Sequence, residues 1–305
     1  MTAILTQSQI NHYKSEGHLV VKNAVSIGQL SKLKQEVLNW VEKSRSYNEP
    51  FGEPTIDGRP RFDMGIEHTF QNPTLRRVNN PSDISQNYFD VMSSSPIIEM
   101  VADLIGQNVK FHHCKINLKC PGSNTEVHYH QDFAFTPHSN DDVVTALLML
   151  DDITENNGCL MVVPKSHKGP MYSLFQDQEF VGKVNENTER LLKKKQISVT
   201  GTAGSVCLMH TRLAHGSAPN MSQTSRGLYI CVYSATDAIP LARNPMPNPN
   251  EGRILRGEPS TIARMINFEV ELPKQPKSAS FFTVQGQDSL DSRPSFKHSV
   301  HKFKT

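Results

Sequence analysis

The sequence predicts a mainly β protein in which helices flank a jelly-roll-like core. Helical capping signals and helical hydrophobic spacing are concentrated in the first third of the chain. After about residue 109 the pattern changes to short apolar runs between turn residues, which is typical of an antiparallel sandwich or barrel. No internal repeat or low-complexity segment interrupts the 305 residues. We therefore expect one domain with a helical N-terminal part (about 1–108), a jelly-roll core (about 109–236) and a loop and tail (237–305).

The first helix is predicted by a capping box. Thr6 and Gln9 stand three positions apart, and each side chain can accept a hydrogen bond from the backbone of the other. Gly17 predicts the end of this helix. The apolar run "HLVV" (18–21) that follows is predicted to be a strand.

A second capping box, Ser26 with Gln29, precedes apolar residues at helical spacing and predicts a longer helix. Prolines and glycines predict a loop over residues 47–65. The segment "PIIEMVADLI" (96–105) is amphipathic and is predicted to be a helix that ends at Gly106.

The core is predicted from apolar runs bounded by turn residues. These runs are "VKFHHCKINLK", "EVHYHQDFAF", "VVTALLMLDDI", "CLMVVP", "QISVTG", "GSVCLMH", "LAHGSA" and "RGLYICVYSA". Five prolines between residues 239 and 259 indicate an irregular segment that can cover a site.

Charge and composition exclude several classes of partner. The 32 basic and 30 acidic residues leave a net charge of +2, which gives no electrostatic case for a nucleic acid or a membrane surface. No apolar run has the length of a membrane span, and we expect no signal peptide because the start lacks a basic region followed by an apolar one. The five cysteines show no CxxC spacing, so we expect reduced thiols and a cytoplasmic protein.

The segment "EVHYHQDFAF" (126–135) is the first candidate for chemistry. On a strand His128, His130 and Asp132 would share one face. A His-x-Asp pair completed by a distant histidine forms the facial triad of non-haem Fe(II) oxygenases. One such pair is expected by chance in a chain of this composition, and His128 with His130 is an alternative ligand pair.

Two further segments strengthen this interpretation. In "LMHTRLAHGSAPNMSQTSRGLYICVY" His215 follows a strand, and Arg226 opens the next strand eleven residues later. An arginine there can form a bidentate pair with the distal carboxylate of a dicarboxylate cosubstrate. The segment "NGCLMVVPKSHKG" (157–169) lies between these two halves.

Together these segments resemble the phytanoyl-CoA dioxygenase family of Fe(II)/2-oxoglutarate-dependent oxygenases, which also includes ectoine hydroxylase. The matching pieces are "HQD" (130–132), "NGCLMVVPKSH" against the family's NG-x-L-x-x-x-PGSH, and "HGSAPNMSQTSR" (215–226). They cover roughly residues 110–235 in the family's order and spacing. The departure is Lys165, which stands where the family usually has glycine and alters a turn.

The resemblance implies a double-stranded β-helix of the cupin-like, jelly-roll kind, with Fe(II) as metal and 2-oxoglutarate and O2 as cosubstrates. It implies that His130, Asp132 and His215 bind Fe(II), and that Arg226 binds the C5 carboxylate of 2-oxoglutarate.

Further contacts to 2-oxoglutarate are implied at positions that match the family less closely. Thr145 matches a hydroxyl-bearing position that contacts the cosubstrate in ectoine hydroxylase, and Ser217 follows the distal histidine. The strand before "HQD" usually adds a polar contact, which Lys119, Asn117 or Lys115 can supply.

Candidate substrate contacts are His128, Phe133, Phe135, Arg243 and Arg253. For the two phenylalanines the alternative is the hydrophobic core, and for the arginines it is a solvated loop face. The same alternatives, an acidic substrate or a solvated loop face, apply to the arginine pair in "PTLRRVNNPSD" (73–83), for which the loop face is expected. His112 and His113 are adjacent on a predicted strand, so one is expected to be buried and the other exposed.

The function implied is hydroxylation of an unactivated C–H bond of a small polar or carboxylated metabolite, with release of succinate and CO2. The predicted partner is a small-molecule substrate, with no nucleic acid and no membrane, and the sequence does not predict an oligomeric state. One alternative is desaturation, epoxidation or ring closure at the same site. A second is a non-catalytic metal-binding sensor.

Overall fold

The computed structural model describes residues 3–121, 126–274 and 284–285, which contain two facing antiparallel sheets with helices against one of them. The helices are α1 (Gln7–Glu16), α2 (Ile27–Ser44), α3 (Gln86–Ser94), α4 (Pro96–Ile105) and α5 (Glu186–Lys193). The strands are β1 (His18–Val21), β2 (Phe62–Met64), β3 (Leu75–Asn79), β4 (Val109–Lys119), β5 (Val127–His130), β6 (Val143–Met149), β7 (Leu160–Val162), β8 (Phe175–Gln176), β9 (Glu179–Phe180), β10 (Ile197–Val199), β11 (Val206–His210), β12 (His215–Ser217), β13 (Arg226–Ala235) and β14 (Ile254–Arg256). Within these ranges no helix is both long and apolar enough to cross a membrane.

The helix starts follow the predicted capping boxes. Thr6 Oγ1 accepts from the Gln9 amide at 3.3 Å, and the Gln9 side chain accepts from the Thr6 amide at 2.8 Å. Ser26 and Gln29 make the same reciprocal pair at the start of α2. Gly17 ends α1 with a φ of 85°, a left-handed conformation that costs glycine little.

The larger sheet has the order β1-β11-β6-β13-β4-β3-β2, with β14 also paired to β4. The smaller sheet has the order β10-β7-β12-β5. Their facing surfaces enclose an apolar layer that includes Leu147, Leu228 and Ile230 of the larger sheet and Leu160 of the smaller one. This is the predicted double-stranded β-helix.

The helices α1 to α4 pack on the outer face of the larger sheet. Alternate residues of its central strands, such as Ile116, Ala146 and Tyr229, share a buried cluster with Leu33 of α2 and Val101 of α4. The intervening residues of the same strands therefore point inward, between the two sheets.

Four local predictions need correction. The N-terminal part contributes β2 and β3 to the larger sheet, besides helices and the predicted β1. His112 and His113 are both buried, because a bulge in the β4–β13 pairing turns both rings inward and brings their Nδ1 atoms to 2.7 Å. Both arginines of "PTLRRVNNPSD" lie buried on β3 instead of on a solvated loop.

The fourth correction concerns "EVHYHQDFAF". The strand ends at His130, and a turn of 3-10 helix spans Asp132–Ala134. Asp132 therefore does not share a strand face with the histidines but reaches the same point from a turn.

The segments around the core are partly ordered by polar contacts. Within the proline-rich segment, Asn244 and Asn248 donate to the His112 carbonyl oxygen at 3.1 and 2.9 Å. The family turn that carries Lys165 keeps a left-handed backbone, with a φ of 68°. Most of the tail beyond about residue 273 lies outside the described residues.

Candidate metal centre

Three side chains meet where the smaller sheet faces the larger one. His130 on β5 pairs directly with His215 on β12, and their rings lie 4.3 Å apart. Asp132 Oδ1 lies 3.4 Å from His130 Nε2 and 3.6 Å from His215 Nε2. Two imidazole nitrogens and one carboxylate oxygen within 4.8 Å of one another form a donor set suited to Fe(II).

Backbone carbonyls orient both imidazoles. His130 Nδ1 lies 2.8 Å from the His128 carbonyl oxygen, and His215 Nδ1 lies 2.9 Å from the Leu213 carbonyl oxygen. A carbonyl only accepts, so each Nδ1 carries the proton and each Nε2 presents its lone pair toward Asp132. Burial lowers the pKa of His215 to about 4, so the imidazole is neutral near pH 7 and ready to bind a cation.

Asp132 is held as a carboxylate. Burial favours its neutral form, but the neighbouring His215 and His130 rings and the charge of Lys115 outweigh burial, and the pKa of Asp132 is lowered. The Thr145 hydroxyl donates to Asp132 Oδ2 at 2.7 Å and leaves Oδ1 facing the histidines. The predicted hydroxyl contact of Thr145 is thus made with this carboxylate, and a contact with cosubstrate stays a prediction.

The His128 side chain lies in a separate cluster with two glutamates. Glu126, His128 and Glu189 also bring their ligand atoms together. Lys193 lies 2.8 Å from Glu189 and 3.6 Å from Glu126, so an ammonium group already balances these carboxylates. The His128 side chain does not line the cavity into which the metal centre opens. The backbone carbonyl of His128 contributes to the centre by orienting His130.

The centre opens into a cavity between the sheets. Its polar lining includes Arg77, Lys115, Asn117, Lys119, Thr145, Ser217 and Arg226, and its apolar lining includes Leu147, Leu160, Leu228 and Ile230. Asp132 is the one carboxylate among the lining residues described. Four cations thus share a buried space with a single carboxylate.

Two of these cations stand directly opposite each other. Arg226 on β13 pairs with Lys119 on β4, an arrangement of like charges that costs free energy unless an anion lies between them. Arg226 is 2% exposed, donates to the Gly158 carbonyl oxygen and has no described partner for its Nε. Lys119 donates to the carbonyl oxygens of Ser217 and Ala218. This end of the cavity suits a carboxylate.

Burial disfavours the charge on all four cations. It lowers the pKa of Arg226 to about 10, of Arg77 to about 10 and of Lys115 to about 8. It also lowers the pKa of Lys119, with Arg226 as the next contributor. A dianion bound in the cavity would reverse these shifts.

The remaining candidate residues are dispersed. Phe133 is fully buried in a small cluster with Val143 and Val232, away from the cavity lining. Phe135 packs edge-on against His130 at 5.6 Å. Arg253 lies over the ring of Phe89 at 5.0 Å and is not in the lining.

Phe135 separates the metal centre from a second depression. That depression is lined by Arg59, Phe135, Phe180, Arg243, Pro245, Pro273 and Lys274. Arg243, a candidate substrate contact, therefore lines this outer depression, which the ring of Phe135 separates from His130.

The sequence predicts a solvated loop face for Arg77, with contact to an acidic substrate as the alternative, whereas the residue lines the cavity. It lies on β3 opposite Asn117 and donates to the Asn117 side-chain oxygen at 3.1 Å. The pairing of β3 with β4 brings these two residues together. Because they are forty positions apart in the sequence, no local pattern indicates the contact.

Comparisons with known proteins find relatives of this chain. The model of the family described as phytanoyl-CoA dioxygenase (PhyH) matches residues 13–228. A probable alpha-ketoglutarate-dependent hypophosphite dioxygenase of Stutzerimonas stutzeri is 35% identical over 207 residues, covering 65% of this chain and 71% of that protein. The peroxisomal phytanoyl-CoA dioxygenase of Rattus norvegicus is 28% identical over 244 residues, covering 77% of this chain and 70% of that protein.

Among solved structures, EctD from S. alaskensis with bound Fe superposes with a TM-score of 0.62 at 20% identity, covering 87% of this chain and 88% of that one. The carbocyclase SnoK from nogalamycin biosynthesis superposes with a TM-score of 0.59 at 19% identity, covering 77% and 86%. At this identity the likeness shows a shared fold.

Proposed function

This chain belongs to the phytanoyl-CoA dioxygenase family, and on that premise we propose that it hydroxylates an unactivated C–H bond of a small polar or carboxylated metabolite. The protein is a 2-oxoglutarate-dependent non-haem iron dioxygenase. The proposal rests on one observation: the His130, Asp132 and His215 donor set lines the same buried cavity as Arg226.

We assign the metal to the two histidine Nε2 atoms and to Asp132 Oδ1. Three protein donors leave further coordination positions for cosubstrate and O2. Iron and 2-oxoglutarate supply the oxidising chemistry when bound, in which O2 gives one oxygen atom to the product and one to succinate as CO2 is released. Thr145 and the His128 and Leu213 carbonyls keep the three donors in place.

We assign the far carboxylate of 2-oxoglutarate to Arg226 and Lys119. The unpartnered Nε of Arg226 and the facing Lys119 amine provide charge-assisted donors for one carboxylate. Ser217 lines the same part of the cavity and Asn117 lies next along β4. The apolar side chains of Leu147 and Leu228 exclude water around the cosubstrate.

Two observations support a small substrate. The relative with 35% identity is named for hypophosphite, a small oxyanion, whereas the peroxisomal relatives are named for a CoA thioester. The cationic lining favours the first kind of substrate. The outer depression with Arg243 and Phe135 adds a further cation on the other side of the Phe135 ring from His130.

The test is a screen of small acids, amino acids and CoA thioesters for substrate-stimulated succinate release by the Fe(II)-loaded enzyme. We expect a small anion to stimulate release, and isotopically labelled O2 to place one labelled oxygen atom in the product. A product that loses two hydrogens and gains no label would instead indicate desaturation or ring closure. His130→Ala should abolish turnover, and turnover retained by that variant would refute the assigned centre.

A further inference from the structure

Lys115 is a cation in the central cavity to which the assignments above give neither the metal nor the cosubstrate. It belongs to the row of inward-facing residues on β4, together with Asn117 and Lys119. Asn117 accepts from Arg77, and Lys119 donates to two backbone carbonyls. Among the described residues the Lys115 amine has neither a hydrogen bond nor an ion pair, although the residue is largely buried.

The strand register places Lys115 next to the metal end of the cavity. On β13, Arg226 lies opposite Lys119, and Ile230 lies opposite Lys115. Two residues further along, Val232 lies opposite Thr145, whose hydroxyl holds Asp132. Lys115 is therefore one inward position away from the level of the triad, and two inward positions from the carboxylate end.

The charges of 2-oxoglutarate are already balanced elsewhere. One carboxylate is assigned to Arg226 and Lys119, which stand about 13 Å from Lys115 along β4 at the usual rise per residue. The other carboxylate is adjacent to the keto group that binds the metal, and the metal and Asp132 together leave one positive charge to oppose it. Lys115 then remains as a cation without an anion from the cosubstrate.

An unpaired ammonium in a buried site is costly, and proteins keep such groups where they serve a function. Burial, and then Arg77, lower the pKa of this amine to about 8. A second anion at this position would neutralise the charge of the Lys115 ammonium. The apolar side chains of Ile230 and Leu147 line the same cavity.

We propose that Lys115, with Arg77 beside it, binds the oxyanion group of the substrate and so directs its oxidisable bond toward the metal. This inference rests on the proposed function and narrows its substrate class to small carboxylates or phosphorus oxyanions. Lys115 thereby determines specificity, whereas Arg226 serves the cosubstrate.

The experiment measures binding of small anions to the full-length protein loaded anaerobically with Fe(II) and 2-oxoglutarate. The probes are hypophosphite, methylphosphonate and propionate, with propionamide as the uncharged match to propionate. We expect at least one anion to bind by calorimetry and propionamide not to bind. Whether the phosphorus or the carboxylate probes bind distinguishes the two sources of the oxyanion.

Variants then locate the anion. Lys115→Met should raise the dissociation constant for the anion by about 10- to 100-fold, which corresponds to the loss of a charge-assisted hydrogen bond. The dissociation constant for 2-oxoglutarate should stay within about threefold. Lys115→Arg should recover most of the affinity. Lys32→Met, at an exposed position of α2, is the matched control and should bind the anion like the wild type.

A stability measurement separates binding from folding. Replacing an unpaired buried ammonium by a methionine of similar length should leave the melting temperature equal or higher. Equal anion affinity of Lys115→Met and wild type would overturn the inference. So would a loss of 2-oxoglutarate affinity in that variant, because Lys115 would then serve the cosubstrate. Failure of the wild type to bind 2-oxoglutarate in an Fe(II)-dependent way would instead overturn the proposed function, and this inference with it.

Discussion

The Thr145 hydroxyl donates to Asp132 Oδ2 at 2.7 Å, and this hydrogen bond links the centre of the larger sheet to the turn that carries the carboxylate. The two histidines lie on paired strands of the smaller sheet, whereas Asp132 lies on a single turn of 3-10 helix. A turn is less rigid than a paired strand, so the orientation of the carboxylate depends on Thr145.

Removing this hydroxyl should weaken metal binding. Thr145→Val keeps the size of the side chain but leaves Oδ2 without its donor, and loss of such a supporting contact typically costs about 10- to 100-fold in metal affinity. Thr145→Ser retains the hydroxyl and should stay close to the wild type. Titration of Fe(II), or of Co(II) as a spectroscopic substitute, measures the difference. Equal weakening in both variants would contradict the prediction, because Thr145→Ser keeps the hydroxyl that donates to Asp132.

Substitution of Arg226 should act on 2-oxoglutarate and spare the metal. Arg226→Gln removes charge-assisted donors worth about 1.5–3 kcal/mol, so the KM for 2-oxoglutarate should rise by about 10- to 150-fold. Arg226→Lys should recover part of this loss, since an ammonium is a point charge and not a planar fork.

Fe(II) affinity without 2-oxoglutarate provides the control for Arg226. It should be unchanged, because Arg226 contacts the Gly158 carbonyl and none of the three metal-binding side chains. A matching loss of Fe(II) affinity would show that the cavity itself had collapsed, and the assignment to the cosubstrate would have to be withdrawn.

Much of the fold was predictable because local patterns determine it. The helix Pro96–Ile105 and the strands Val109–Lys119 and Arg226–Ala235 have the predicted bounds. Their hydrophobic periodicity is strong and their ends carry a proline, a glycine or a charged residue. The family motifs named the side chains that now meet between the sheets.

The rest depended on contacts distant in sequence. The strand Leu75–Asn79 is buried on both faces yet contains two arginines, so it shows no alternation, and its partner strand lies some forty residues later. Asp132 reaches the histidines by leaving the strand, which a period-two pattern cannot predict. Within the described residues Lys115 makes no hydrogen bond while Lys119 makes two, which follows from the register of β4 with its neighbours and not from either residue type.

Gly216 allows the two metal-binding strands to approach closely. It lies at an irregularity in the β12–β5 pairing, and a Cβ atom there would stand 2.7 Å from the Val127 carbonyl oxygen. Gly216→Ala should therefore push β5 from β12, lower the free energy of unfolding by about 1–3 kcal/mol and weaken Fe(II) binding.

The matched control for Gly216 is Gly28→Ala. Gly28 lies in the first turn of α2 with no atom within 4 Å of the added methyl group, so this variant should be as stable as the wild type or up to about 1 kcal/mol more stable. Urea unfolding and Fe(II) titration measure both effects. Unchanged Fe(II) affinity in Gly216→Ala would show that the strands tolerate separation.

The buried histidines should make the metal-free protein sensitive to acid, and His138 isolates the effect. His138 is fully buried, its Nδ1 lies 2.8 Å from the Thr136 carbonyl oxygen, and its Nε2 has no partner in the described parts of the chain. Burial lowers its pKa to about 4. Between pH 6.5 and 4 the unfolded chain thus binds a proton that the folded chain does not, and stability falls as the pH falls. From pH 7 to 5 this one residue should lower the free energy of unfolding by about 2 kcal/mol.

His138→Gln, whose amide can still donate to Thr136, should therefore lose about 2 kcal/mol less than the wild type over that range in urea unfolding. His12→Gln, at an exposed position of α1, should follow the wild type, and parallel curves for all three proteins would contradict the prediction.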